Sequence, residues 1–292
     1  MRDRIICFGD LIDDVVVVPS GPIRVDTDTP SSIRFRAGGS AANTAAWLAE
    51  LGAAVDYVGV AAAIDVDRHS ALLPGVSAHI AANGDLPTGT IVVMVDGETR
   101  SMLTERGANA ALDPAAVTDA LLAEAAVVHL TGHTLLNQAG AAGIRQLIER
   151  AREAGVAVSV DPGSAGFVAD YGVDAFFAAI AGASILLPSL EEGRLLTGLT
   201  APEEIAAKLA ESFELVALTL GIGGVIVAFG ETVEQIVASH ATVVDPTGAG
   251  DAFSAGFLAD WVGSHDPIAA AMAGVLVGAR AVETIGGRPP AL

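Results

Sequence analysis

From about residue 125 the chain alternates short, continuously apolar β-like runs with helical stretches, and this alternation constrains the fold more than any other feature. Residues 126–130, 156–160, 184–187 and 215–220 read as strands. Residues 137–154, ended by Gly155, and 202–211, opened by Thr200, read as helices. Apolar strands separated by amphipathic helices imply a mainly parallel sheet covered on both faces. No repeat, low-complexity tract or charged linker divides the 292 residues, so the expectation is one domain with a sizeable core.

The first hundred residues have a different texture. Residues 15–18 and 33–35 look like strands between Pro, Gly and Ser turns, and 90–95 and 98–103 flank Asp96-Gly97, a strong hairpin signal. These runs suggest a small antiparallel sheet on the α/β body, with strands from about 13–36 and 88–106, placed to act as a lid.

Composition removes several function classes. With 35 acidic and 15 basic side chains the formal net charge is −20, the wrong field for nonspecific binding to nucleic acid or to an anionic membrane. Hydrophobic residues are 52% and charged ones 17%, which excludes intrinsic disorder. No apolar run approaches the roughly 18 residues of a membrane helix. The strand-like run from Ile5 leaves no room for a signal-peptide core, so a cytoplasmic location is expected. Cys7, the sole cysteine, can form neither an internal disulfide nor a cysteine metal cluster.

Two segments carry chemistry. Val243-Val244-Asp245-Pro246-Thr247-Gly248-Ala249-Gly250-Asp251 reads as a β-like segment entering a helix over about 252–262. Small residues at Gly248, Ala249 and Gly250 let successive amides converge at a helix N-terminus, where the dipole favours an anion. Asp251 beside that site either caps its helix or accepts a proton from a group attacking a phosphoryl centre, and residue type alone leaves both open. In Arg36-Ala37-Gly38-Gly39-Ser40-Ala41-Ala42-Asn43, Ser40 can cap a helix running to Leu51 and stopped by Gly52. Gly38 and Gly39 permit close approach of a ligand. Asn43 either satisfies local backbone or binds sugar hydroxyls.

Rival chemistries lack their motifs. His129 and His133 straddle a strand end without metal-ligand spacing. There is no Gly-x-Ser-x-Gly elbow, no Gly-x-Gly-x-x-Gly after the first strand and no Gly-x-x-x-x-Gly-Lys-Ser/Thr loop. The one lysine, Lys208, falls in a surface helix.

The two segments resemble the paired signatures of the ribokinase-like (PfkB) carbohydrate kinases, Gly-Gly-x-x-x-Asn and Asp-Thr-x-Gly-Ala-Gly-Asp. Four lesser matches lie between or before them in order. They are Gly9-Asp10-Leu11-Ile12-Asp13-Asp14, Arg106-Gly107-Ala108-Asn109, Pro188-Ser189-Leu190-Glu191-Glu192 and Thr219-Leu220-Gly221-Ile222-Gly223-Gly224. The resemblance implies a three-layer α/β/α body with a small β-sheet lid, and an ATP- and Mg²⁺-dependent kinase acting on a hydroxyl of a sugar or sugar-like substrate. It implies Asp251 as general base and the amides of Gly248, Ala249 and Gly250 as anion hole. Asp14, Gly38, Gly39 and Asn43 would hold the substrate, with Asp13 as a fallback. Ser189, Thr219, Gly221 and Gly224 would line the nucleotide site, and Glu192 would organise Mg²⁺.

Departures from the family pattern are Pro246 at its Thr position, Ser189 for Asn, and Asp161-Pro162-Gly163 without the following Asn and Arg. A nucleoside kinase of the same fold, or a sugar- or nucleotide-binding sensor without turnover, are the alternative readings. Arg34, Arg36, Arg100 and Arg106 near the lid admit an acidic or phosphorylated sugar, or serve only to block edge-to-edge pairing. The exposed lid edges suit a homodimer.

Overall fold

The computed structural model describes residues 2–96 and 99–290. A nine-stranded sheet runs in the order β13-β12-β11-β10-β9-β8-β1-β4-β5. Third from one edge is β1 (Arg4–Phe8), flanked by β8 (Ala125–Thr131) and β4 (Val55–Ala62), both parallel to it. Parallel pairing continues outward to β5 (Ser77–Asn83) on one side and through β9 (Ala157–Asp161) and β10 (Ile185–Leu186) to β11 (Leu215–Thr219) on the other. Only β12 (Val225–Phe229) and β13 (Thr232–Ile236) at one edge are antiparallel.

The strands read as unbroken apolar runs because both faces are covered. Ile6 and Phe8 point into one core cluster, with Leu147, Phe176 and Leu209 from helices α4 (Gly140–Glu153), α6 (Val173–Ala179) and α8 (Pro202–Ala210). Ile5 and Cys7, one residue out of phase, point into the other. That second cluster holds Trp47 of α1 (Ser40–Glu50), Phe253 and Phe257 of α9 (Ala249–Ser264), and Ala270 of α10 (Pro267–Val282). A mostly parallel sheet between two helical layers agrees with the fold expected from the sequence.

A second sheet has four strands in the order β3-β2-β6-β7: β2 (Ile12–Pro19), β3 (Ser31–Gly38), β6 (Gly89–Asp96) and β7 (Thr99–Glu105). It is mixed rather than antiparallel, because β2 and β6 run parallel, Asp14 opposite Ile91. The chain reaches β6 only after crossing the main sheet through β4 and β5, and that detour sets the direction in which β6 returns. The hairpin tip expected at Asp96-Gly97 includes Gly97, which lies outside the described residues.

Four local readings are corrected. Gly39, not Ser40, is the N-cap of α1, at φ 93° and with no side-chain cap. Thr200 does not cap α8, whose N-cap is Ala201 with Pro202 filling the first helical position. Val243 and Val244 form no strand: the amides of Val244 and Asp245 both turn onto Val282 O, at 2.7 and 3.1 Å, pinning this stretch to the end of α10. Helix α4 also starts three residues later than expected. Asn137 Oδ1 accepts the Gly140 amide at 2.8 Å and holds 137–139 in a turn.

Candidate active site

Parallel strands end on a common edge, where a crevice forms. That edge carries Asp10 just after β1, Asp161 ending β9, Ser189 after β10 and Thr219 ending β11. Asp251 stands in the first turn of α9. Asn43 lies one turn into α1 and donates from Nδ2 to Asp251 Oδ2 at 2.9 Å. Burial pushes the Asp251 carboxyl up to about 7, opposed by hydrogen bonds from Asn43 and Ser40 and aided by the nearby Asp14. It is therefore a carboxyl poised near neutrality, with part of its surface still open.

The turn before α9 is tightly built. Asp245 Oδ1 accepts from the Thr247 amide at 2.9 Å and from its hydroxyl at 2.7 Å, while Oδ2 accepts from the Gly286 amide at 3.0 Å. Gly248 is the N-cap, at φ 75°. A side chain there would be strained and would also collide with Gly287 Cα. The amides of Gly248, Ala249 and Gly250 thus sit at the positive end of a 16-residue helix. Ala249 makes one long bond, 3.3 Å, back to Pro246 O.

On the other side of Asn43, the two neighbouring aspartates have different surroundings. Asp13 is held by a bidentate ion pair with Arg68, at 2.8 and 2.6 Å. Asp14 packs its carboxyl against Gly38, and burial raises it to about 6 against the pull of Arg288. The structure therefore brings Asp14, Gly38, Asn43 and Asp251 together, while Asp13 is engaged elsewhere. Gly39 is fixed by the Asp10 carbonyl, which a Cβ would strike.

The remaining residues singled out in the sequence form a neighbouring group. Ser189 and Glu192 make a capping box at the start of α7 (Leu190–Thr197), with Ser189 N donating to Glu192 Oε2 at 2.7 Å and Glu192 N to Ser189 Oγ at 3.3 Å. Ser189 bridges to Thr219 as the adjacent strand ends. Gly221 and Gly224 bracket the turn from β11 to β12, at φ 58° and 88°. Burial, then Glu192 and Asp251, push the Asp161 carboxyl well above its usual range. Among the described residues no three His, Cys, Asp or Glu side chains converge as a metal cage. His129 is instead a core residue beside Ser159 Oγ at 3.2 Å, and burial lowers it to about 4.

Several residues shape this crevice in ways the sequence does not assign to them: Arg106 and Asn109 belong to a matched segment that does not predict these contacts, and Trp47 and Arg288 are not singled out by any motif. Arg106 spans to Asp10 with two contacts of 3.2 Å, tying the end of β7 to the end of β1. Buried Asn109 brackets Leu11 like a strand neighbour, accepting its amide at 3.0 Å and donating to its carbonyl at 2.8 Å. Trp47 Nε1 donates to Gly287 O at 3.0 Å. Arg288 donates to Asn43 Oδ1, Gly38 O and Leu72 O at 3.3, 3.1 and 3.0 Å. The partners of Trp47 and Arg288 lie at the far end of the chain, so no local motif announces them.

Comparison with known proteins gives a consistent picture. The model of the pfkB family carbohydrate kinases matches residues 2–292. An ATP-dependent ribose-1-phosphate kinase of Halopiger xanaduensis is 31% identical over 268 residues, 84% of this chain and 82% of that protein. Adenosine kinase from Sinorhizobium meliloti superposes with a TM-score of 0.87 at 26% identity, over 99% of this chain and 96% of that one. Fructokinase from Xylella fastidiosa with bound ATP gives a TM-score of 0.83 at 23% identity, over 98% and 94%.

Proposed function

The chain belongs to the pfkB family of carbohydrate kinases, and from that premise we propose that it transfers the γ-phosphoryl group of ATP to a hydroxyl of a sugar or nucleoside, with Asp251 as general base. The observation that carries this reading is the Asp251 carboxyl in the first turn of α9, beside the Gly248–Gly250 amides and pushed up to about 7. A base of that strength accepts a proton as the hydroxyl attacks and remains largely ionised just above neutrality. Attack in line on the γ-phosphorus breaks its bond to the β-γ bridging oxygen, and ADP leaves. The amides at the helix start stabilise charge on the transferred group without reorganising.

Asp14, Gly38, Gly39 and Asn43 hold the acceptor in this reading, and Ser189, Thr219, Gly221 and Gly224 line the nucleotide side. Mg²⁺ suits the mutual repulsion of Asp161 and Glu192, and the lack of a ready-made cage among the described residues suits a cation that keeps most of its waters. When bound it supplies neutralisation of polyphosphate charge. The four-stranded sheet serves as the lid that excludes water. Its in-register pairs Val15–Phe35, Val17–Ile33 and Val92–Leu103 share one face, on which Ile33, Phe35 and Leu103 are exposed. That apolar face supports pairing with a second copy through the lid.

The test is ADP release from Mg-ATP across pentoses, hexoses, sugar acids, sugar phosphates and nucleosides, with Asp251→Asn beside the wild type. Turnover with one acceptor class, reduced about 10²–10⁴-fold in the variant with ATP binding retained, is the expected result. Silence across the panel from a folded, ATP-binding protein would mean an acceptor outside the panel or a non-catalytic sensor.

A further inference from the structure

The C-terminal segment after α10 returns to the crevice and is fastened there. Gly286 N donates to Asp245 Oδ2 at 3.0 Å and Gly287 O accepts from Trp47 Nε1 at 3.0 Å. The next residue, Arg288, is thereby delivered beside Asn43, where its Nε donates to Oδ1 at 3.3 Å. Its two terminal nitrogens are anchored on Gly38 O and Leu72 O. Asn43 thus stands between two groups of opposite character, a guanidinium on Oδ1 and a carboxyl on Nδ2.

From this arrangement we propose that Arg288 is a positioning residue that fixes which end of the Asn43 amide meets Asp251. The proposal rests on the reading of Asp251 as general base. An asparagine amide is nearly symmetric in shape but not in chemistry. Turned one way it donates to an ionised carboxylate; turned the other, its oxygen accepts from a protonated one. A guanidinium has donors only, so with Arg288 in place the oxygen is taken and Nδ2 faces Asp251. The flipped amide, which would favour protonated Asp251, costs the Arg288 bond and sets the Nδ2 donor against a guanidinium that has no acceptor.

The other groups facing Asp251 are Ser40 from α1, Asp14 from β2, Asp161 from β9 and the Cys7 thiol from β1. Burial raises Asp251, and the Asn43 hydrogen bond is the foremost influence holding it down. Arg288 guards that bond.

Two variants separate the amide from the charge. Arg288→Gln keeps a donor where Nε stands and loses the charge; Arg288→Met fills the same length with no donor. The reading is the acid limb of the pH dependence of kcat/KM. Arg288→Met should move it up by about one pH unit, roughly a tenfold loss near pH 6 that fades above about pH 8. Arg288→Gln should leave it close to wild type. An unmoved limb in Arg288→Met, or equal movement in both variants, would overturn the proposal.

A reading independent of turnover keeps this separate from the kinase assignment. The difference in melting temperature between each protein and its Asp251→Asn counterpart, followed against pH, breaks where Asp251 titrates. The break should rise in Arg288→Met and not in Arg288→Gln, even if no acceptor is ever found. A third measurement needs no Met variant. In ¹⁵N-labelled wild type the Arg288 Nε–H, assigned by its loss in Arg288→Gln, should be protected from exchange with water, and exchange at the rate of free arginine overturns the proposal.

Discussion

Asn43 and Asp251, 208 positions apart, are joined by a 2.9 Å bond from Nδ2 to Oδ2 across the junction of α1 and α9. The bond ties the first signature segment to the second. It links the group read as an acceptor ligand to the group read as the base, so that neither helix start can shift without disturbing the other.

The first prediction concerns pH. Because Asp251 must be ionised to take a proton, kcat/KM should fall about tenfold per pH unit below about 7 and level off above it. Stability should run the opposite way. The folded-state carboxyl lies above its unfolded value of 3.8, so its contribution is full below that value and is lost as pH rises through about 7. Asp251→Asn should therefore melt several degrees above wild type near pH 8, since a rise from 3.8 to about 7 corresponds to at most about 4 kcal/mol, with the gain gone at acid pH. Melting curves at the two ends of the range check it, and equal differences at both would contradict the assignment of the break to Asp251.

Gly248→Ala combines a left-handed backbone with a collision against Gly287 Cα. The conformational part alone costs about 1–2 kcal/mol. Relief by displacing the 286–288 segment would also move Arg288 and the first turn of α9. Turnover should drop more than tenfold while the melting temperature falls by only a few degrees, since misplacement by about 1 Å suffices for such a loss. Parallel loss of turnover and fold, in one step, would mean that the turn is needed for folding instead.

Much of this was legible in the sequence because the informative residues sit in short local patterns. Gly248 to Asp251 declares a helix start with small residues and an acid, and the apolar runs at β8, β9 and β11 declare buried parallel strands. What was not legible depends on partners distant in sequence. The parallel pairing of β2 with β6 is set by a crossing of the main sheet, which no turn motif between residues 20 and 88 encodes. Strand β2 runs from Ile12 because Asp13 and Asp14, polar on paper, are matched by Arg68 on one side and the crevice on the other. Arg288 meets Asn43 across 245 positions. Val243 and Val244 misled for the reverse reason: their residue type favours a strand, but their amides have no neighbouring strand to pair with.

Trp47→Phe isolates the anchor of that distal segment. The indole is fully buried, and its Nε1 is matched to Gly287 O. Removing the donor leaves a buried carbonyl without it, at a cost of about 1–3 kcal/mol. The melting temperature should fall by roughly 3–8 °C. Because Gly287 is one residue from Arg288, the acid limb of the rate profile should also blur or rise. A stability loss with an unchanged limb would show that Arg288 is held well enough by Gly38 and Leu72 alone.

Glu192 separates a structural role from a role toward the cation. Its Oε2 accepts the Ser189 amide in the capping box of α7, and the side chain is buried beside Asp161. Glu192→Gln keeps an oxygen that can accept that amide while removing a charge that repels Asp161. Stability at neutral pH should stay within about 0.5 kcal/mol of wild type or rise. Glu192→Ala breaks the box and should cost about 1 kcal/mol. If Glu192 helps retain Mg²⁺ through its waters, both variants should need roughly tenfold more Mg²⁺ for half-maximal rate, irrespective of their stability. A Mg²⁺ requirement that follows the melting temperature, normal in Gln and raised only in Ala, would make Glu192 a helix cap and nothing more.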